Sequence, residues 1–160
     1  EFVEEQRLAR LTSAKTICET GFNAGVSSLA FLCATDGSVV YSFDIGQRPY
    51  VRDASSYLRT RFGSRHRLVL GDSQLTLARA AEAGGVDRGV RCDLAFVDGG
   101  HTYQVALQDM RNFARLSKPA ARVLVENCNA AGTTRGQGGL KAVNDAYAAA
   151  QKEGLIVHEE

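Results

Sequence analysis

The sequence predicts a doubly wound α/β domain, in which helices flank a mainly parallel sheet. Short apolar segments alternate with segments of helical periodicity along the whole chain, which is typical of parallel strands joined by crossover helices. Four of the five predicted strands with a following loop end in an acid: Glu19, Asp44, Asp98 and Glu126. The length of 160 residues fits a single domain spanning residues 1–160.

Composition excludes several classes of protein. The chain is 44% hydrophobic and 23% charged, with a net charge of +1, so bulk charge favours neither a nucleic-acid nor a membrane partner. No apolar run approaches the roughly 20 residues of a membrane span. The four cysteines are widely spaced and form no CxxC pair, which favours buried free thiols over a disulfide framework. We therefore expect a cytoplasmic protein.

The first half of the chain contains three strands with intervening helices. A charged segment with loosely spaced apolar residues predicts an opening helix, and Gly25 precedes a helix that is apolar on most sides. Gly63 is a plausible C-cap for the third helix. The predicted elements are a helix over Glu1–Leu11, a strand over Lys15–Glu19, a helix from Val26, a strand over Val39–Asp44, a helix over Arg52–Phe62 and a strand over His66–Leu70.

The second half continues the alternation. Its first strand, Cys92–Val97, is almost wholly apolar, as suits a central parallel strand. Pro119 is expected to end the helix before the fifth strand. The predicted elements are helices over Leu75–Ala83 and Thr102–Leu116, a strand over Arg122–Glu126, a glycine-rich loop over Asn129–Gly139, a helix from Leu140 and a final strand over Gly154–His158.

The segment between the first strand and the next helix predicts a ligand site. Gly21 and Gly25 frame Phe22-Asn23-Ala24, and such loops let a ligand approach the backbone beside a helix N-terminus. Ligands of doubly wound sheets bind beyond the carboxyl ends of the strands. Glu19 would orient this loop or accept a bond from a cationic group, and Asp44 would accept bonds from a ribose diol. The simpler alternative is that each acid only caps a helix.

Two motifs resemble those of a known family. The pattern E-x-G-x-x-x-G, an acid after the second strand and Gly71-Asp72-Ser73 resemble class I S-adenosylmethionine-dependent methyltransferases. Residues 97–103, Val-Asp-Gly-Gly-His-Thr-Tyr, resemble the "DG-x-H-(S/T)-Y" stretch of the methyltransferase-24 type, which is related to metal-dependent catechol and caffeoyl-CoA O-methyltransferases. The resemblance implies a Rossmann-like methyltransferase fold that binds S-adenosylmethionine through Glu19, Gly21, Asn23, Gly25, Ser27, Asp44, Ile45, Gly71, Asp72, Ser73 and Asp98.

The same resemblance implies a catalytic centre. Asp98, Glu126 and Asn127 fall where the wider group binds a divalent ion, and their hard oxygen ligands suit Mg²⁺ or Ca²⁺ rather than a soft metal. His101 stands three residues after Asp98, at the spacing of the catalytic lysine in the catechol-type enzymes, so Asp98 and His101 are candidate catalytic residues. The alternative for His101 is a capping or packing role. For His66 and His158, a structural role is expected.

The match has departures, and other functions stay open. Asn23 replaces a third glycine, and the chain ends before the family's seventh strand. We expect either a trimmed domain or a partner, such as a second copy in a homodimer, that completes the sheet. We expect O-methylation of a small hydroxylated molecule, with an inactive binding or assembly module as the alternative. The Gly21 to Gly25 spacing disfavours an NAD-dependent oxidoreductase. Arginines 59, 61, 65 and 67 predict a solvated basic patch rather than a nucleic-acid contact, and Arg135 is a weak candidate for an acidic substrate group.

Overall fold

The structure, a computed structural model, describes residues 2–11, 13–87, 89, 91–128 and 138–157. Within these residues, five parallel strands form one sheet in the order β3-β2-β1-β4-β5, which confirms the doubly wound fold. The strands are β1 Thr16–Thr20, β2 Val39–Asp44, β3 His66–Leu70, β4 Cys92–Val97 and β5 Ser117–Val125. The helices are α1 Phe2–Leu11, α2 Val26–Ala34, α3 Val51–Phe62, α4 Ser73–Glu82, α5 Tyr103–Leu116 and α6 Gly138–Lys152, and a 3₁₀ turn spans Gly63–Arg65.

The strand order reverses beside β1. The chain runs outward from β1 through β2 to β3 and then returns to place β4 on the other side of β1. The ends of these central strands are in register, because Thr20 pairs with Phe43 of β2 and with Val97 of β4. A doubly wound sheet binds its ligands outside the strand ends at such a reversal, so the fold predicts the site beyond Thr20.

Apolar side chains cover both faces of the sheet. Leu94 and Phe96 of β4 pack with residues of α1, α2 and α3 on one face. Ala95 and Val97 alternate with them and pack with α4, α5 and α6 on the other. The whole of β1 is buried, as expected of a parallel strand with helices on both faces. The sheet is therefore a rigid platform for the loops at its carboxyl edge.

α5 ends at Leu116 as predicted, but β5 begins at Ser117 and not at the predicted Arg122. Pro119 therefore lies inside the strand and does not end the helix. A proline removes a backbone donor, which the outermost strand of the described sheet tolerates. The β4–β5 pairing shifts register between Cys92 and Leu94, and Ala120 adopts a φ of 62°. The irregular pairing thus accommodates the proline.

The predicted final strand is absent from its described part, residues 154–157. Gly154 adopts a φ of 71°, and its amide donates to the Gln151 carbonyl. The Leu155 amide donates back to Ala150, so this segment caps α6 and does not pair with the sheet. His158 lies outside the described residues, as do Arg135 and residues 129–137 of the predicted glycine-rich loop.

Two of the four cysteines are paired, so the prediction of four free thiols is wrong. Cys18 and Cys92 form a disulfide with their Cα atoms 5.9 Å apart. Their separation of 74 residues gives no indication of pairing in the sequence, because only the adjacency of β1 and β4 brings them together. Cys33 and Cys128 are free.

Asp109 of α5 is a fully buried acid below the carboxyl edge of the sheet. Neither carboxylate oxygen has a hydrogen-bond partner of normal geometry among the described residues. Burial raises the pKa of Asp109 to about 6 and Asp72 adds to the rise, although the nearby hydroxyls of Ser73 and Thr20 oppose it. An added Cβ at Gly99 would lie 3.0 Å from Oδ2 of Asp109, so this carboxyl directly supports the loop after β4.

The raised pKa of Asp109 predicts a pH-dependent contribution to stability. Folding favours its protonated form, so this contribution is complete below the ordinary pKa of 3.8 and is lost as the pH rises through about 6. We expect Asp109→Asn to gain about 2 kcal/mol of unfolding free energy relative to wild type between about pH 4.5 and pH 7.5. Urea denaturation across this range, with the exposed Asp53→Asn as control, measures the difference. A wild-type-to-variant difference that is independent of pH would contradict the assignment.

Candidate functional site

A cavity of about 490 Å³ opens at the carboxyl ends of β1, β2 and β4. Its volume lies within the range of small-molecule and cofactor sites. It brings together eight of the residues predicted to bind cofactor or to act in catalysis: Gly21, Asn23, Asp44, Ile45, Asp72, Ser73, Asp98 and His101. Four further residues predicted to bind the cofactor do not line the cavity: Gly25, Ser27, Glu19 and Gly71.

The loop after β1 has the backbone conformation that its glycines predict. Gly21 adopts a φ of 85°, and a Cβ at this position would lie 1.9 Å from the carbonyl oxygen of Asp98. Gly25 has a φ of 77°, and a Cβ there would press on the Phe22 ring at 2.8 Å. Asn23 adopts a φ of 48°, which confirms that an asparagine serves at the left-handed position. Because Gly21 has no side chain, its backbone can lie this close to the carbonyl of Asp98.

Glu19, near the end of β1, fixes the loop after β1 through hydrogen bonds to α2 and β2. Its carboxylate is fully buried and accepts hydrogen bonds from Ser27 at 2.6 Å, from Ser42 at 2.6 Å and from Ser28. Burial raises the pKa of Glu19, while the three hydroxyl donors oppose the rise. Of the two roles expected for Glu19, orienting the loop is therefore the one that the described contacts support.

Asp44 lies at the rim of the cavity in a fixed orientation. Its Oδ2 accepts a hydrogen bond from the Asn23 amide at 2.9 Å, and its Oδ1 accepts one from the Gly46 amide at 2.7 Å. The Asn23 side chain is held in turn, because the Tyr50 hydroxyl donates to its Oδ1 at 2.7 Å. Each carboxylate oxygen keeps a further lone pair, so Asp44 can still accept bonds from a ligand.

Asp72 both caps a helix and lines the cavity, the two roles that the sequence left open for it. It caps α4, because its Oδ1 accepts a hydrogen bond from the Gln74 amide at 2.9 Å. Both Asp72 and Ser73 also line the cavity. The capping role fixes the direction of the Asp72 carboxylate without removing it from the site.

His101 contacts two of the other predicted catalytic-centre residues. Its Nε2 lies 3.5 Å from Oδ1 of Asp98 and 3.2 Å from Nδ2 of Asn127. Thr102, and not His101, caps α5, because its Oγ1 accepts a hydrogen bond from the Val105 amide. The His101 side chain is 50% exposed and the Asp98 side chain 25%. An imidazole is therefore accessible from the cavity and held between a carboxylate and an amide.

Two of the predicted metal ligands make other contacts in the structure. The amide of Asn127 engages His101, and the backbone of Glu126 extends the strand pairing by donating to the Val97 carbonyl at 3.0 Å. In the described part of the chain, no group of three or more His, Cys, Asp and Glu side chains is placed to hold a metal ion. Asn127 contacts His101 through Nδ2, whereas Oδ1 is the atom that would bind a metal ion, so the site of Asp98, Glu126 and Asn127 stays a prediction.

The sequence did not identify every residue of the cavity. Gln47 and Arg48 also line it, although neither belongs to a recognisable motif. They follow Asp44 by three and four residues in the loop after β2, and this position at the carboxyl edge was the only indication of a role. Gln74 and Val105 enter from the first turns of α4 and α5.

Comparison with known proteins agrees with the motifs. A family model described as a methyltransferase domain, of the methyltransferase-24 type, matches residues 18–128. A Mycobacterium sp. (strain JLS) protein with a provisional O-methyltransferase name is 32% identical over 157 residues, which cover 96% of this chain and 66% of that protein. The chain thus spans slightly less than two thirds of this relative.

Solved structures share the fold at low identity. An O-methyltransferase from Bacillus cereus in complex with S-adenosylhomocysteine has a TM-score of 0.73 at 17% identity, covering 94% of this chain and 68% of that one. The O-methyltransferase TomG from Streptomyces achromogenes, in complex with S-adenosylmethionine, has a TM-score of 0.72 at 20% identity, covering 94% of this chain and 67% of that one.

Within the described residues, no helix has the length and apolar character of a membrane span. On the match of residues 18–128, the chain belongs to the methyltransferase-24 family of methyltransferase domains.

Proposed function

We propose that this domain transfers the methyl group of S-adenosylmethionine to the hydroxyl of a small molecule. The observation that carries the proposal is that one cavity contains the Gly21 loop, Asp44 and the Asp98–His101 pair. The relative from Mycobacterium bears an O-methyltransferase name, and the B. cereus neighbour binds the demethylated cofactor. Both support this reaction over other uses of the fold.

The cavity residues suggest how the cofactor is held. Asp44, at the end of β2, would accept hydrogen bonds from the ribose hydroxyls, and its orientation is already fixed by the Asn23 and Gly46 amides. Asp72 and Ser73, at the start of α4, would contact the adenine. The Gly21 loop would lie against the methionine half, close to the Asp98 carbonyl.

His101 is proposed as the base that removes the acceptor proton. The hydroxyl oxygen attacks the methyl carbon, the carbon–sulfur bond breaks, and its electron pair stays on sulfur to give S-adenosylhomocysteine. When Nε2 of His101 is unprotonated, its lone pair accepts from the Asn127 amide at 3.2 Å, so the acceptor hydroxyl would replace Asn127 there. The hydroxyl proton then passes to Nε2, and the resulting N–H can donate to Oδ1 of Asp98. The remaining contribution of the protein is to align the acceptor oxygen with the methyl group.

Replacement of His101 tests the proposed base. We expect His101→Gln to lower kcat by about 100-fold or more, because general base catalysis typically contributes 10²–10⁴-fold. The affinity for S-adenosylhomocysteine should change little. Transfer of a labelled methyl group to a panel of catechols, phenols and hydroxylated acids measures kcat, and calorimetry measures affinity. Tyr103→Phe, next to the site but outside the cavity lining, is the control.

Two results would contradict the role of His101. Unchanged kcat in the His101→Gln variant would exclude it as the base. Cofactor binding without methyl transfer to any member of the panel, in the wild-type chain, would favour the alternative of an inactive binding module.

Metal removal tests the arrangement of the predicted ligands. Asp98, Glu126 and Asn127 were expected to hold Mg²⁺, but the side chain of Asn127 bonds to His101, so we expect methyl transfer to proceed with EDTA at about the rate seen with added Mg²⁺. The rate with each of several acceptors, measured in EDTA and after addition of Mg²⁺, provides the comparison. A loss of more than about tenfold in EDTA that Mg²⁺ restores would show that these three residues rearrange into a metal site.

A further inference from the structure

A second cavity, of about 500 Å³, lies between α3 and β3 and shares no lining residue with the cofactor cavity. Its polar lining consists mainly of Arg52, Arg59, Ser55, Ser56, Ser64 and His66. An adjoining groove shares Ser56, Arg59 and Ser64 with it. Nothing in the proposed methyl transfer uses this region of the molecule.

The lining of this second cavity carries positive charge and no acid. Arg52 and Arg59 are seven residues apart on α3, so they lie on the same face of the helix. Ser55 and Ser56 lie on that face between them. Neither arginine forms an ion pair with a carboxylate of the described residues. Two guanidinium groups and several hydroxyls therefore face one concave space without a counterion from the protein.

The neighbouring arginines have other partners. Arg65 donates to the backbone carbonyls of Leu32, Thr35 and Ser38, which ties α2 to the start of β2. Arg67 lines the cavity but pairs with Asp87 at 2.5 Å. Of the four arginines of the predicted basic patch, Arg59 and Arg67 line the second cavity, and Arg59 is the one of these two without an acidic partner in the described part of the chain.

His66 forms a buried part of the cavity wall. It is 1% exposed, its Nε2 lies 3.1 Å from Oγ of Ser42, and its ring stacks on Phe22. Its Nδ1 faces Ser55 at 3.5 Å. Burial and the charge of Arg59 lower the pKa of His66 to about 4, so at neutral pH it is a hydrogen-bonding group and the positive charge comes from the two arginines.

We propose that this second cavity binds a small phosphorylated molecule. Guanidinium groups match the geometry of phosphate oxygens and bond to them more strongly than neutral donors do, and the serine hydroxyls add further donors. Leu68 and Leu70 give the cavity an apolar wall for the body of the ligand. The volume is that of a small-molecule site. The lining contains no Phe, Tyr or Trp, and the ring of His66 is already stacked on Phe22, which disfavours a single-stranded nucleic acid.

Binding of phenyl phosphate to the whole chain tests the site, because this probe combines a phosphate with an apolar body. We expect calorimetry at low ionic strength to show saturable binding to the wild type, and phenol alone to show none. Arg52→Gln and Arg59→Gln should each weaken binding by about tenfold or more, since each removes a charge-assisted hydrogen bond. Arg61→Gln is the matched control, because it removes the same charge from an exposed position on the same helix outside the cavity.

Three outcomes would overturn the proposal. No binding of phenyl phosphate at millimolar concentration excludes the site, and equal weakening by Arg61→Gln shows only non-specific attraction. Tighter binding of a single-stranded RNA oligonucleotide that depends equally on all three arginines indicates a nucleic-acid surface instead. The affinity of Arg52→Gln and Arg59→Gln for S-adenosylhomocysteine, expected to equal that of wild type, shows that the variants are folded and separates this test from that of methyl transfer.

Discussion

The buried carboxylate of Glu19 is the interaction on which the cofactor cavity depends. It accepts hydrogen bonds from Ser27 and Ser28 at the start of α2 and from Ser42 of β2. A carboxylate buried at the end of a central strand is costly unless it has such partners. Here the partners belong to α2, which follows the loop after β1, and to β2, whose end lines the cavity. One side chain thereby fixes the loop after β1, the first turn of α2 and the adjacent strand relative to one another.

The remainder of the cavity is built onto this fixed loop. With the loop in place, Gly21 lies against the Asp98 carbonyl, at a distance that admits no side chain. The Asn23 amide reaches Asp44, so the acid proposed to bind ribose is oriented by the loop proposed to bind methionine. The hydrogen bonds of Glu19 continue from Ser42 to His66. Because His66 lines the second, arginine-lined cavity, one hydrogen-bonded network connects the two cavities.

Much of the fold could be predicted from the sequence, because its strands are short apolar runs with polar boundaries. The bounds of β2, β3 and β4 agree with the prediction residue for residue. The errors arose where local pattern does not determine structure. Pro119 reads as a helix terminator, yet an irregular edge strand accommodates it, and the apolar residues after Gly154 read as a strand although they cap α6. The Cys18–Cys92 pair depends on strand order, which spacing along the chain cannot reveal.

For the candidate site too, the sequence predicted what local motifs determine and missed what depends on tertiary contacts. Residues in motifs at strand ends, such as Gly21, Asp44 and His101, do line one cavity, because parallel strands bring their carboxyl ends to one edge. Arg48 lines it from a loop without a motif, and the contact between Asn127 and His101 depends on side-chain directions that no sequence pattern encodes. Helical periodicity can assign a buried residue such as Asp109 to one face of its helix. It cannot predict that the Asp109 carboxyl lies next to Gly99, because that contact is tertiary.

The central claim is that the edge between β1, β2 and β4 is a site for S-adenosylmethionine, and a calorimetric titration with S-adenosylhomocysteine tests it most directly. The account predicts one binding site per chain with a Kd of about micromolar magnitude, weakened by about tenfold or more in Asp44→Ala and unchanged in the exposed control Asp53→Ala. Absence of binding to the wild-type chain, or equal affinity in Asp44→Ala and wild type, would contradict it.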